Sequence, residues 1–336
     1  MNTHELPMIL FTVLAQMSVG AFIVLGVINM FAPAKYGRET VERATDPAIY
    51  AIGPTLVLGL IASMFHMNDV FNVLNVFRHF GTSWLSNEIV FGMAFAGLGF
   101  LFALMQWFKI GSHTLRQVIA GLAALAGIAL IYSMSMIYMT VKAVPAWNSW
   151  VVMFHFFATA ILLGSLAVGT AVIIHLNRRT AATETAPAGQ DNTGGGGIAT
   201  KVRTQAKTMA TTPIEAKEYA LASQIVRTIA IVSVVVGSMI LLSYILYIID
   251  LAGGNPTAQE AVGAFATQTF IARLLLLIVA SILMALFAHK MAGHTTTTNL
   301  DTQSLAGLMF IALALATIGE LIGRAFHYDL LVKIGI

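Results

Sequence analysis

The sequence contains no cysteine among its 336 residues. Disulfide bonds, iron–sulfur clusters held by thiolates and covalently attached c-type haem are therefore excluded for this chain. Any redox role would depend on a diffusible cofactor, on a haem held by histidines, or on centres that a partner protein carries.

Charged residues are also scarce. Only 10% of the residues are charged and 58% are hydrophobic, whereas an ordinary soluble domain has roughly 25% charged residues. Because a soluble core of this size cannot hide so much apolar surface, the composition indicates a polytopic membrane protein. The first residues, MNTHELPMILFTVLAQ, lack the positively charged start of a cleavable signal peptide. We therefore expect the first apolar run to be a membrane span.

Eight apolar runs exceed the roughly 18 residues that are needed to cross the hydrocarbon layer. They lie at about 8–32, 47–66, 84–108, 116–139, 150–176, 226–250, 266–288 and 304–326. Backbone groups must be satisfied within lipid, so we expect these runs to be helices and the fold class to be all-α. The second run has the most irregular ends.

A stretch rich in Thr, Ala and Gly interrupts this pattern at 177–224. Its composition predicts a flexible cytoplasmic loop. The loop would separate five transmembrane helices within 1–176 from three more within 225–336.

The basic residues are unevenly divided between the two sets of predicted loops. Thirteen Lys and Arg residues lie in one set and three in the other. Because basic loops stay in the cytoplasm, we expect both termini to lie outside, in the periplasm of a Gram-negative bacterium. The formal net charge of +3 is then a topology signal and does not indicate nucleic-acid binding.

The ionisable residues of the predicted spans fall in the outer half of the membrane. They are His66, Glu88, His155, Asp250, Arg273, Glu320 and Arg324. Charges inside a bilayer are costly and often mark a site or a pathway, so the outer half is the candidate functional end.

Several of these residues have structural interpretations that we prefer. Glu320 and Arg324 share a helix face through their i,i+4 spacing, which favours a structural ion pair that Arg273 could join. His155 is interpreted as a packed, hydrogen-bonded histidine, and Asp250 as a solvated helix end.

His66 and Glu88 form the most informative pair, because they lie on consecutive antiparallel spans joined by an outer connection at 67–83. That arrangement can bring an imidazole and a carboxylate to the same depth. Oxidation of a quinol releases two protons with two electrons, and these two groups can accept the protons. The spacing alone does not single out a quinol. A histidine at a helix end, or a carboxylate in a first turn capped by Ser83 or Ser86, is the structural alternative.

Four segments carry a resemblance to a known family. They are HELPMILFTVLAQMSVGAFIVLG at 4–26, IASMFHMNDVFNVLNVFRHFGTSWLSNEIVFG at 61–92, MIYMTVKAVPAWNSW at 136–150 and GELIGRAFHYDL at 319–330. The chain resembles the DmsC family, the membrane-anchor subunits of anaerobic dimethyl sulfoxide reductases. The loop at 177–224 is longer than that family's pattern.

The resemblance implies an eight-helix anchor in the bacterial inner membrane that carries no prosthetic group of its own. It implies two partners on the periplasmic side, an iron–sulfur subunit and a molybdopterin-containing catalytic subunit. The anchor would bind and oxidise menaquinol and pass electrons to the nearest cluster, without being the catalytic subunit. The family's quinol histidine corresponds to His66 and its functional glutamate to Glu88. Arg78, Trp84 and His155 are further candidates for contact with the quinol.

Three other functions remain open from the sequence. One is a b-type cytochrome anchor, for which His66 and His155 would form an outer haem-ligating pair. Another is a quinol anchor of the polysulfide-reductase type. The third is a secondary transporter, although transporters favour sites at the membrane midplane. The sequence names neither the terminal electron acceptor nor the choice between menaquinol and ubiquinol.

Overall fold

The computed structural model describes residues 6–64, 76–185, 214–292 and 302–332, and this part of the protein consists of helices and the turns that connect them, without strands. A short 3₁₀ segment, Gly263–Ala266, precedes the ninth helix. The helices are α1 (Leu6–Phe31), α2 (Pro33–Tyr36), α3 (Arg38–Met64), α4 (Trp84–Trp107), α5 (His113–Met139), α6 (Trp150–Thr185), α7 (Ala216–Ala252), α8 (Pro256–Val262), α9 (Gln268–Ala292) and α10 (Thr302–Asp329).

Seven of the described helices are long and apolar enough to span a membrane: α1, α4, α5, α6, α7, α9 and α10. This confirms an all-α, multi-pass membrane protein. The second predicted run falls on α3, which begins at Arg38 and contains Pro47 and Pro54. Helix α3 is not among the seven, so the expectation of eight spans stays a prediction.

The helices on either side of the predicted loop at 177–224 extend into it, so the non-helical connection is shorter than expected. Helix α6 continues to Thr185 and α7 already begins at Ala216. A buried ion pair between Arg179 and Glu218 joins the two extensions. Because the charges pair with each other, these polar turns remain helical beyond the apolar runs. Residues 186–213 lie outside the described residues.

Helix α1 lies at the centre and packs against α3 and α6, with further contacts to α5 and α10. The backbones of α1 and α6 are in direct contact where the two helices cross. A Cβ on Gly20 would overlap the carbonyl of Ala160, and a Cβ on Gly164 would overlap the backbone of Gly20. Small residues at such a crossing are typical of membrane helices, because attraction between them depends on close packing.

The loops that were predicted to be cytoplasmic come together at one end of the bundle. Lys109 Nζ lies 2.7 Å from Glu42 Oε2 and 3.1 Å from Asp46 Oδ2. Arg43 Nη1 lies 2.8 Å from Glu215 Oε1 at the start of α7. These contacts tie α3, the α4–α5 connection and α7 together at what we call the cation-rich end.

The surroundings shift the pKa values of two carboxylates at the cation-rich end in opposite directions. Burial raises the pKa of Asp46, although Lys109 opposes this through its charge and hydrogen bond. Burial also acts on the less buried Glu42, but there the hydrogen bond and charge of Lys109 outweigh it and lower the pKa. We expect Glu42 to supply the negative charge of this cluster down to a lower pH than Asp46.

Candidate functional site

Glu88 is buried, with 9% of its surface exposed, and it lies one turn into α4, whose start is capped. Ser83 is the N-cap and accepts from the backbone N–H of Ser86, which confirms one of the two predicted caps. Asn87 Oδ1 accepts from the backbone N–H of Gly81 at 2.7 Å. Gly81 has φ 81°, a conformation that favours glycine. The turn and its cap therefore place Glu88 on the inner face of α4.

His66 lies outside the described residues, so the structure does not test its expected position beside Glu88. Arg78 is exposed in the short 3₁₀ turn before α4. Trp84 begins α4 and makes an edge-to-face contact with Tyr132, with 5.7 Å between ring centroids. These two quinol candidates therefore lie at the same end of α4 as Glu88, but toward the periphery.

A buried ion pair joins α9 and α10. Arg273 Nη2 lies 3.2 Å from Glu320 Oε2, and Thr159 Oγ1 donates to the same carboxylate oxygen at 2.7 Å. Arg273 also donates to the hydroxyl of Tyr244. The guanidinium crosses α10 at Gly323, where a Cβ would overlap it. Two of the three expected ion-pair residues are thus in direct contact.

Arg324 does not take the partner that its i,i+4 spacing suggested. Its Nη2 donates to Gln16 Oε1 at 3.2 Å, and its guanidinium carbon lies 3.7 Å from the ring centroid of Phe156. The reason is that Arg273, reaching across from α9, occupies the Glu320 carboxylate. Arg324 also acts electrostatically on Glu88. It therefore links the α9–α10 cluster to α1 and α4.

His155 has the geometry of a packed histidine. Its Nε2 lies 2.7 Å from Ser243 Oγ, and its ring centroid lies 4.7 Å from that of Tyr244. Both neighbours belong to α7. The residue lies on the C-terminal-half side of the bundle and is only partly buried.

The sequence reasoning missed His327. Its ring stacks on Trp147, with 5.4 Å between centroids and 15° between planes, and Trp147 Nε1 donates to its backbone oxygen at 2.8 Å. The spacing of Glu320, Arg324 and His327, i, i+4 and i+7, places all three on one face of α10. This spacing could have identified His327 from the sequence.

Gln16 was missed as well, although it is fully buried in α1. An amide in the middle of a largely apolar span has a reason to face the protein interior, since lipid offers it no hydrogen-bond partner. A neighbouring hydrogen bond between Tyr138 Oη and Tyr328 Oη, 2.7 Å long, ties α5 to α10 at the same end.

Residues of α6, α7, α9 and α10 line a small cavity of about 30 Å³. Its polar lining comprises His155, Thr159, Tyr244, Tyr247, Arg273, Glu320, Arg324 and His327. Pockets that hold organic ligands usually have volumes of about 300–1,000 Å³, so this cavity does not accommodate a quinol ring. Within the described residues there is also no group of three or more His, Asp or Glu side chains that could hold a metal ion.

The fold and these clusters define a class: a multi-pass helical membrane protein with a buried charged network near one end of its bundle. A family model described as the DMSO reductase anchor subunit (DmsC) matches residues 1–189. The protein belongs to this family. The match includes Glu88 and His155, whereas Arg273, Glu320 and Arg324 lie beyond it.

Curated relatives give the same assignment over part of the sequence. The protein is 30% identical over 184 residues to an anaerobic dimethyl sulfoxide reductase subunit of Haemophilus influenzae, covering 53% of this protein and 63% of the relative. It is 29% identical over 163 residues to an anaerobic dimethyl sulfoxide reductase subunit of Escherichia coli, covering 48% and 56%. The same figures hold for a second Escherichia coli subunit of this kind, YnfH. The protein therefore spans little more than half the length of these relatives.

Proposed function

We propose that this protein anchors a dimethyl sulfoxide reductase-type complex in the bacterial inner membrane and oxidises menaquinol near the periplasmic face. The observation that carries this proposal is Glu88, a carboxylate buried one turn into α4 within the region that matches the anchor family. A buried carboxylate so near a helix end, with a guanidinium acting on it, is suited to proton exchange.

The proposed chemistry uses two bases. The quinol head group loses two protons and two electrons as it becomes a quinone. His66 accepts one hydroxyl proton and Glu88 the other, and both protons then leave toward the periplasm. The electrons pass to an iron–sulfur subunit and from there to a molybdopterin-containing subunit, which reduces the terminal acceptor. The anchor needs no prosthetic group of its own for that role.

The proposed topology has eight spans, with α3 as the second, and both termini in the periplasm. The gathering of basic loops at the cation-rich end supports this orientation through the positive-inside rule. With quinol protons released on the outer side, turnover would move little charge across the membrane. Proton-translocation measurements in vesicles should therefore show no electrogenic pumping.

The direct test is to replace the two bases in the assembled complex. We expect His66→Ala and Glu88→Gln to lower oxidation of a menaquinol analogue by roughly 10²-fold or more, as for loss of a general base. Quinol-site inhibitor affinity should fall in parallel. Glu260→Gln, an exposed carboxylate on α8 at the same end, is the matched control.

Two results decide the proposal. Mass spectrometry of the purified complex should identify an iron–sulfur and a molybdopterin subunit as partners. If His66→Ala and Glu88→Gln both oxidise the quinol analogue at the wild-type rate and bind inhibitor normally, the two-base site is wrong. A Soret absorption band from the purified protein would instead favour a haem-binding anchor.

A further inference from the structure

The small cavity between α6, α7, α9 and α10 has an unusual excess of hydrogen-bond donors. Its charged lining consists of two guanidinium groups, Arg273 and Arg324, and one carboxylate, Glu320. Both arginines are nearly inaccessible, at 4% and 6% exposed. Apolar side chains such as Phe156 and Phe326 complete the wall, so the charges act in a medium that screens them weakly.

The acceptors in this cluster are already in use. Glu320 accepts from Arg273 and Thr159, and the Tyr244 hydroxyl accepts from Arg273. Three buried nitrogen atoms of lining residues have no hydrogen-bond partner in the described part of the protein: Arg273 Nε, Arg324 Nε and His327 Nε2. An arginine Nε is always a donor. Whatever occupies the cavity must therefore accept hydrogen bonds.

The buried positive charge of Arg324 also favours an anion in the cavity. Among the described residues its hydrogen-bond acceptor is Gln16, an uncharged amide, and its other close contact is the ring of Phe156. A buried cation without a bonded anion is expensive. An occupant that carries negative charge therefore stabilises this site more than a water molecule does.

The volume limits that occupant to a single small particle. One water molecule needs roughly 10–15 Å³ of cavity volume, so the cavity of about 30 Å³ holds one ion or very few water molecules. A single halide ion fits this volume.

We propose that this cavity is a binding site for one monovalent halide ion, chloride in the cell, held by the Nε groups of Arg324 and Arg273. The site does not depend on quinol oxidation. Glu88, one base of the proposed quinol site, does not line the cavity.

The experiment uses the full-length protein in its complex, purified in gluconate and exchanged into bromide. Crystals should show one anomalous bromine peak within hydrogen-bond distance of Arg324 Nε. The midpoint temperature of thermal unfolding should be higher in chloride than in gluconate, because the ligand binds the folded state. Arg324→Met should remove the peak and weaken halide affinity by at least roughly tenfold.

Arg38→Met is the matched control, because Arg38 is exposed at the cation-rich end. Its halide response should equal that of the wild type, which separates specific binding from general salt effects. Density for water alone in bromide, or an equal halide response in wild type and Arg324→Met, would overturn the proposal. Since Arg324→Met removes a buried charge with little change in volume, we expect it to fold.

Discussion

Arg273 of α9 and Glu320 of α10 form a buried ion pair, with 3.2 Å between Nη2 and Oε2. This contact decides the position of a third charge. Since the carboxylate is occupied from α9, Arg324 turns toward Gln16 on α1. The ion pair between helices thereby couples the C-terminal helices to the central helix of the bundle.

Breaking this ion pair should destabilise the protein strongly. Glu320→Gln leaves the buried guanidinium of Arg273 without its carboxylate, and we expect a loss of about 3–5 kcal/mol in the free energy of unfolding. Thermal unfolding in detergent measures the effect. A double variant, Arg273→Met with Glu320→Leu, should recover most of it. An unchanged midpoint in Glu320→Gln would show that the pair is not a stabilising contact.

The crossing of α1 and α6 should be equally sensitive to added atoms. Gly20→Ala introduces a Cβ that overlaps the Ala160 carbonyl, and separating the backbones should cost about 1–3 kcal/mol. Gly26→Ala, on the same helix with open space around its Cβ, is the control and should be nearly neutral. Equal unfolding midpoints for the two variants would contradict the close approach.

The turn before α4 should matter for quinol oxidation more than for overall stability. Gly81→Ala places a side chain at φ 81°, at a cost of about 1–2 kcal/mol, and disturbs the Asn87 contact that positions Glu88. We expect weaker quinol-site inhibitor binding with only a small shift in unfolding midpoint. Gly97→Ala, within α4 and without close neighbours, should leave inhibitor binding unchanged; an equal loss there would refute the positioning role.

The absence of cysteine makes the orientation directly measurable. Single-cysteine variants at two exposed glutamates, Glu39→Cys at the cation-rich end and Glu260→Cys at the opposite end, have no native thiol background. In intact cells with a permeabilised outer membrane, an impermeant maleimide should label the Glu260 variant alone. The Glu39 variant should react only after the inner membrane is disrupted. The reverse labelling pattern would invert the proposed topology.

Much of the fold could be predicted from the sequence. The predicted run at 84–108 matches α4, Trp84–Trp107, within one residue at the C-terminal end, and the Ser83 cap was anticipated. The extent of the 177–224 loop was not, because Arg179 and Glu218 stabilise helix ends by pairing with each other. Such a contact between distant residues leaves no mark in local hydropathy.

For the candidate site, the sequence predicted Glu88 near the start of a span, and the structure places it one turn into α4 and buried. The electrostatic interaction of Glu88 with Arg324, and the contacts of Gln16 and His327, could be seen only once the helices were packed together. The prediction that His66 lies beside Glu88 remains a prediction.

The amino-acid sequence by itself determined that this protein is a helical, multi-pass membrane protein. Transfer into lipid and internal backbone hydrogen bonding act on each segment separately, so they can be judged one segment at a time. Only the tertiary structure determined which charged side chains pair with each other. Arg273 and Glu320 are 47 residues apart, and their pairing depends on how α9 and α10 pack, with Gly323 leaving room for the guanidinium.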